Sequence, residues 1–367
     1  MKNLSVIGIG RLGLCFSLTL ERAGYTVVGC DINEDYVKAI NDKTFESYEP
    51  GVNDHLEISK NFVATVNLQE AVEHGELIFV TVRTESEPDG KYDHSQIESV
   101  LDGLRSLGIQ KEQKHLVICS NVNPSYSNQI ADRIRHLNWI VSYNPETIAQ
   151  GTILKNQAQP DCIYIGTETE EAANQIEEAY KRMCTNEPTI HKMDRLSAEL
   201  TKVSLNCYLT MKISFANAVG DLAIAMGGDP MKILAAVGSD SRINNKYFRY
   251  GFGYGGPCFP RDNRAFIRCA EAHGHSASLN KAADYANQEH LRFQLKRITI
   301  EEDKSISLRV PTVTYKPGVT IIEESQQLAL AVKIAQEGYE VIIIETQPVV
   351  DQVRELYGDL FKYEVRS

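Results

Sequence analysis

The chain opens on a short apolar run, Leu4-Ser5-Val6-Ile7, that leads directly into Gly8-Ile9-Gly10-Arg11-Leu12-Gly13. Three glycines at G-x-G-x-x-G spacing, set between a strand and a helix, leave the backbone few alternatives. The first permits a tight turn, the second lets a pyrophosphate approach the main chain, and the third lets helix pack closely on strand. The helix that follows offers free N–H groups and a partial positive charge to phosphate, through Arg11 and Leu12 in its first turn. Asp31 closes the next apolar run, about twenty residues on. A carboxylate there accepts hydrogen bonds from both ribose hydroxyls and repels a 2′-phosphate, so the pattern favours NAD over NADP.

The rest of the first half repeats this alternation. Strands are expected at Asn3–Ile7, Thr26–Asp31, Leu77–Val82, His115–Ser120, Trp139–Ser142 and Cys162–Ile165. Helical spacing lies between them, at Gly13–Ala23, Glu34–Asp42, Gln96–Leu107 and Glu170–Cys184. Such alternation implies an α/β fold with a mostly parallel, doubly wound sheet over residues 1–190. From Leu196 to Met226 apolar residues recur at helical spacing without proline, which predicts one long helix. Gly227-Gly228-Asp229-Pro230 stops it. A second helix is expected over Pro230–Val237, and helical pattern returns from Asp262 to about Arg297. Residues 191–300 thus read as a helical central domain whose long helix spans between domains, forms a dimer seam or is a plain core helix. Strand and helix alternate again over 301–367, at Ser305–Val313, Ser325–Glu337, Glu340–Ile344 and Val350–Tyr357, as the beginning of a second α/β domain.

Charge and cysteine usage narrow the function. A net charge of −11 excludes the clustered positive field that nucleic-acid binding needs. No apolar run is long enough to span a membrane. The N-terminus reads as a strand and not as a cleavable signal, so a cytoplasmic location is expected. The eight cysteines show no close CxxC pairing, and no metal site is expected. Most read as buried thiols; Cys258 does not.

Cys258 ends the run Phe252-Gly253-Tyr254-Gly255-Gly256-Pro257, followed by Phe259-Pro260-Arg261-Asp262. Dense glycine lets backbone wrap a ligand, and a cysteine at a helix start beside arginine is placed for a lowered pKa. On the long helix Glu199, Lys202 and Asn206 lie three and four residues apart and share a face. Polar groups on an otherwise apolar helix need partners or a ligand. Tyr143-Asn144-Pro145-Glu146 follows a strand's carboxyl end, the usual active edge of a doubly wound sheet.

These segments together resemble the UDP-glucose/GDP-mannose dehydrogenase family. The resemblance runs in the family's order through the glycine fingerprint, Asn144-Pro145-Glu146, Ala198-Glu199-Leu200-Thr201-Lys202 with Asn206, and Lys212-Ile213-Ser214-Phe215. It continues through Asp240-Ser241-Arg242-Ile243, the loop from Gly251 to Asp262, and Tyr315-Lys316-Pro317-Gly318 with Glu324-Ser325. It implies a Rossmann-like N-terminal domain, a central dimerisation domain and a shortened C-terminal nucleotide-sugar domain. The implied activity is a four-electron oxidation of a UDP-glucose-like sugar C6 alcohol with NAD, through a thiohemiacetal and a thioester on Cys258. In that scheme Lys202 and Asn206 hold the C6 oxygen, Asp262 assists by orienting Lys202 or a water, and water near Glu146 releases the acid. Thr84 and Asn121 fall at the cofactor strand ends. Arg242 reaches the partner's sugar nucleotide in a homodimer, Tyr247 and Gly255 line the sugar pocket, and Lys316 approaches the nucleotide.

The chain departs from the family pattern at named places. Val82-Arg83-Thr84-Glu85 replaces V-P-T-P, and Asn121 stands where a threonine positions water. Thr147-Ile148-Ala149-Gln150 replaces F-L-x-E, and Arg261 and Pro257 flank the cysteine differently. Glu323 occupies an arginine's place, and the third domain reads as one or two βα units short. Two other readings stay open here. One is a two-electron hydroxyacid dehydrogenase, which uses Lys202 and Asn206 but leaves Cys258 idle. The other is a catalytically dormant nucleotide-sugar-binding scaffold.

Overall fold

The computed structural model describes residues 3–148 and 150–366. The chain divides into two compact units, Met1–Lys202 and Val203–Ser367, and the division falls inside one long helix.

In the first unit β1 (Asn3–Ile7), α1 (Arg11–Arg22), β2 (Thr26–Cys30), α2 (Glu34–Asn41), α3 (Val52–Ile58), β3 (Phe62–Thr65), α4 (Leu68–His74) and β4 (Leu77–Val80) follow in order. Next come α5 (Ser95–Ser106), β5 (Lys114–Ile118), α6 (Tyr126–Ile134), β6 (Trp139–Tyr143), α7 (Ile153–Ala158), β7 (Cys162–Gly166), α8 (Glu170–Met183) and β8 (Thr189–Met193). The sheet runs β3-β2-β1-β4-β5-β6-β7-β8. Its first six strands are parallel, and β7 turns antiparallel to β6. That is the doubly wound α/β sheet expected. Strands β1, β2, β4 and β5 read as near-continuous apolar runs because helices cover both faces. Asn33 and Thr169 cap α2 and α8 by accepting from the backbone N–H of Tyr36 and Ala172.

The short helices and edge strands α3, α4, β3 and β8 carry too few apolar residues to stand out by spacing, and the sequence reading passed over them. β8 is mostly exposed, so its pattern carries almost no burial signal.

α9 (Arg195–Ala225) is the long helix. α10 (Pro230–Gly238) starts on Asp229, whose carboxylate accepts from the N–H groups of Met231 and Lys232, with Pro230 in the first turn. The helical pattern expected from Asp262 to about Arg297 is made by two helices, α11 (Phe259–Ala272) and α12 (Ser278–Glu301). Gly274 at φ +77° and Ala277 at φ +48° break it. The apolar rhythm continues across that break, so spacing alone hid it. Then come β9 (Leu308–Val310), α13 (Gln326–Gln336), β10 (Val341–Glu345), α14 (Gln347–Tyr357) and β11 (Lys362–Val365). The strands form a parallel sheet in the order β11-β10-β9 over its own core of Val313, Leu328, Ile334, Val341 and Ile343. β9 is shorter than the expected Ser305–Val313, because Pro311 cannot donate to a ladder.

Candidate active site

The glycine turn joins β1 to α1 in three residues, Gly8 to Gly10. Gly8 has φ +87°, and a Cβ on it would meet Val82 Cγ1 at 2.7 Å. A Cβ on Gly13 would stand 2.2 Å from the Gly8 carbonyl oxygen and 2.4 Å from Thr81 Oγ1. Gly10 faces open space, with nothing within 4 Å of its added Cβ. The turn is braced from below: Thr81 Oγ1 donates to Gly8 O at 2.6 Å and Tyr36 Oη donates to Ile9 O at 2.7 Å. Neither brace was legible in the glycine pattern.

The N-terminus of α1 has no side-chain cap and no acid in its first turn, so it can receive an anion. Asp31 follows β2; one carboxylate oxygen accepts from Asn33 N at 3.2 Å. Exposed Arg11 donates to Gln150 Oε1 at 2.7 Å, and Leu12 is partly buried beside it. Clearance at Gly10, an uncapped helix start and a second-strand acid together fit NAD. Thr84 is buried and Asn121 partly exposed, after β4 and β5 respectively. Of the Thr147–Gln150 departure, Ala149 lies outside the described residues.

Asn144-Pro145-Glu146 leaves the carboxyl end of β6. Asn144 is buried, donating to Tyr164 O at 2.8 Å and accepting from Tyr180 Oη at 2.9 Å. Tyr180 Oη also lies 3.4 Å from Glu146 Oε1. Burial pushes the Glu146 carboxyl up to about 7, against the opposing pull of Tyr180 and the Lys202 ammonium. Beyond Glu146 the loop is clamped by Glu49, a buried carboxylate that accepts from Gly151 N at 2.8 Å and Ile153 N at 2.7 Å. Glu49 and Tyr180 escaped the sequence reading, since a lone acid before Pro-Gly and a tyrosine on an apolar helix face carry no distinguishing signal.

The polar stripe on α9 separates into different roles. Glu199 needs no ligand: its carboxylate accepts from Ser125 N at 2.6 Å and Ser127 N at 2.8 Å, capping α6 from a distance. Ser125 itself sits at φ +77° and provides no cap. Lys202 is 9% exposed and has no hydrogen-bond or ion-pair partner among the described residues. A buried ammonium in that state is prepared for an anionic ligand.

In the second unit Asn206 is buried and donates Nδ2–H to Asp262 Oδ2 at 2.6 Å. Asp262 is fully buried and also accepts from Arg261 Nε at 3.1 Å. Its N–H closes the first turn of α11 onto the Cys258 carbonyl at 2.8 Å. Cys258 is the N-cap residue of α11, exposed, with no side-chain cap bond. Asn206, Asp262 and Cys258 thus lie in one neighbourhood of the second unit. The loop before them is held by its own polar pairs: Asn287 Oδ1 accepts from Tyr254 N at 2.9 Å, and Asn217 Oδ1 accepts from Gly251 N at 3.0 Å. Gly255 presses on the Glu324 carbonyl, 2.2 Å from an added Cβ, and Gly256, at φ +79°, lies against the Tyr315 ring. Lys316 Nζ lies 5.7 Å from the centre of that ring. Glu324 pairs with Arg264 at 2.8 Å while Glu323 is exposed. Tyr247 is exposed at φ +59° and packs edge-on to Phe259. Arg242 is exposed and forks onto Asp240 at 3.0 and 2.7 Å.

All eight cysteines are free thiols. Among the described residues no cluster could hold a metal ion, and no helix is long and apolar enough to cross a membrane.

Comparison with known proteins bears on both units. Models of the UDP-glucose/GDP-mannose dehydrogenase family match its NAD binding domain over residues 2–184 and its central domain over residues 196–289. The UDP-glucose 6-dehydrogenase of Haloferax volcanii is 29% identical, over 98% of this chain and 86% of its own length. That of Pseudomonas aeruginosa is 28% identical, over 92% of this chain and 78% of its own. The solved UDP-glucose dehydrogenase of Pyrobaculum islandicum superposes with a TM-score of 0.91 at 29% identity, covering all of this chain and 86% of that one. The UDP-D-ManNAc dehydrogenase of Pyrococcus horikoshii shares the fold, with a TM-score of 0.81 at 22% identity over 94% of this chain and 83% of that one.

Proposed function

The chain belongs to the UDP-glucose/GDP-mannose dehydrogenase family with NAD as its cofactor, and on that premise we propose that it oxidises a nucleotide sugar's C6 alcohol to the acid through Cys258. Gly8, Gly10, Arg11, Leu12, Gly13 and Asp31, with Thr84 and Asn121 at the strand ends, would hold NAD, which would supply the hydride acceptor for each of two oxidations. Lys202 and Asn206, one helical turn apart on α9, hold the C6 oxygen as its proton passes to a solvent water and the aldehyde forms. The Cys258 thiolate adds to that carbonyl, because an aldehyde has no hydride placed to leave whereas the thiohemiacetal does. Loss of the second hydride leaves a thioester. Water then adds, the C–S bond breaks, and the carboxylate departs with the thiolate restored. Glu146 takes the proton from that water.

The observation that carries this reading is the chain of short contacts from Asn206 through Asp262 to the Cys258 turn. It ties a hydrogen-bond donor for the oxygen to the helix start that presents the thiol. The unpartnered Lys202 adds the positive charge that an alkoxide needs.

UDP-glucose is the first substrate to try, since relatives that match over nearly the whole of this chain are named for it. Residues 301–367 supply the nucleotide end, through Lys316, and the sugar pocket lies by Tyr247 and Gly255. A second copy of the chain completes the assembly. Tyr208, Phe215 and Leu222 on α9, with Met226 just past its end, are 58 to 78% exposed and seven, seven and four residues apart, which is the spacing of a helix seam. Arg242 then reaches the partner's site. Its free thiols and NAD dependence suit the cytoplasm.

Counting reduced cofactor tests the reaction. Two NADH per acid formed are expected, and Cys258→Ala should make no net acid. One NADH per substrate, with no acid, would leave the two-electron hydroxyacid reading in its place. Acid formation by Cys258→Ala at the unmodified rate would refute the covalent step.

A further inference from the structure

We propose that Gln157 is a positioning residue for Glu146, acting through one water held in the small cavity that both side chains line, an inference that rests on Glu146 handling water in the reaction above. The cavity has a volume of ≈ 10 Å³ and is lined among others by Glu146, Gln157, Asn156, Cys162 and Tyr180. That is about the space of one water. All of these residues belong to the first unit.

Gln157 is 2% exposed, on α7. Its Oε1 lies 3.3 Å from Thr19 Oγ1, and its Nε2 has no hydrogen-bond partner among the described residues. Thr19 has one hydroxyl hydrogen, and that is given to Cys15 O at 2.8 Å. The amide can be turned to donate to Thr19 instead, but then its oxygen is left unmet. In either setting one end of a buried amide lacks a hydrogen bond, a loss of about 1–3 kcal/mol that an apolar side chain of the same size would avoid. An amide at this place therefore needs a further partner, and a polar cavity of one-water size lies beside it.

Glu146 is short of partners for the same reason. Its only hydrogen-bond contact among the described residues is Tyr180 Oη at 3.4 Å. Tyr180 has a shorter acceptor in Asn144 Oδ1 at 2.9 Å, so its hydrogen is committed there. A water in the cavity takes a hydrogen bond from Gln157 Nε2 and gives one to the Glu146 carboxylate, with Tyr180 Oη as a third polar neighbour. Both deficits close at once. Fixing the carboxylate from this side holds its other oxygen toward the loop's open side and favours its ionised form, the form that accepts a proton.

The test uses Gln157→Leu and Gln157→Met, which keep the volume and remove the amide. Titration of the Glu146 carboxyl carbon by 13C NMR, assigned by its loss in Glu146→Gln and followed without substrate, should move up by about half to one pH unit in both. With nucleotide sugar and NAD, kcat at pH 7 should fall about two- to fivefold, recover at higher pH, and leave KM unchanged. An unmoved Glu146 titration in the folded variants overturns the proposal. So does a high-resolution crystal structure of the unmodified protein with no water between the two side chains, which needs no variant to fold. A shifted titration with an unshifted rate profile supports the water link and counts against Glu146 as the base in the reaction.

Discussion

The chain contains the same small topology twice, and only one copy is built to hold a dinucleotide. β1–α1–β2 and β9–α13–β10 are both parallel crossovers, each followed by a third parallel strand on the same side. In both an acid stands at the carboxyl end of the second strand, Asp31 in one and Glu345 in the other. In the first copy three residues link strand to helix, and the helix start is uncapped. In the second, fifteen residues, 311–325, make the link, and Ser325 accepts from Leu328 N to cap α13. Glu345 is also consumed. It is 2% exposed and accepts from Thr312 Oγ1 at 2.8 Å, Val313 N at 3.1 Å, Thr346 N at 3.2 Å and Arg366 Nη2 at 3.3 Å. A crevice of ≈ 450 Å³ still opens at those strand ends, lined by Thr312, Thr314, Gly318 and Thr346 among others. Topology therefore supplies the crevice, and the turn decides what enters it.

Four substitutions break or sharpen that contrast. Gly13→Val should do most harm, since its Cβ alone would overlap the Gly8 carbonyl. NAD binding by calorimetry should fall at least about a hundredfold, with about 2–4 kcal/mol lost from denaturant stability. Glu345→Ala should cost a similar ~2–4 kcal/mol, because it strands two backbone N–H groups and a threonine hydroxyl, yet NAD affinity should not change. A tenfold weaker NAD constant in that variant would mean Glu345 is no mere clamp. Glu146→Gln tests a buried carboxylate of the opposite kind, one with few donors. Its folded pKa of about 7 lies above the ordinary value of 4.5, so the folded state loses stability as pH rises through that window. The variant should be relatively more stable at pH 8 than at pH 5 by on the order of 2 kcal/mol, measured by urea unfolding. Asp31→Ala should have the smallest effect: NAD weakened about tenfold, the gap to NADP narrowed, and the melting temperature little altered. Equal affinity of the unmodified protein for NAD and NADP would contradict the role of Asp31.

Much of the first unit was legible because glycine and apolar spacing act locally. A strand buried on both faces shows as an unbroken apolar run, and a turn with no room for Cβ shows as glycine. Asn206, Asp262 and Cys258 were legible for a related reason: helical spacing and a helix start set their place within a few residues. The break between α11 and α12 was not legible, because the apolar rhythm passes straight over it. Glu199 read only as a polar group in need of a partner or a ligand, because a helix face displays polarity but not its destination.

The sequence alone determined the turn chemistry of β1–α1, the acid after β2 and the family to which the chain belongs. Each depends on residues close together in the chain, where backbone sterics and spacing suffice. Only the tertiary structure decided that Glu199 caps α6, that Glu49 clamps the Glu146 loop, and that Glu345 is sealed while Asp31 is open. It alone left Lys202 with no hydrogen-bond or ion-pair partner among the described residues and set Gln157 on the small cavity that Glu146 also lines. A carboxylate or an amide has the same chemistry wherever it stands in the sequence. What it does depends on which donors, acceptors or cavities arrive within about 3 Å of it, and residues distant along the chain bring those.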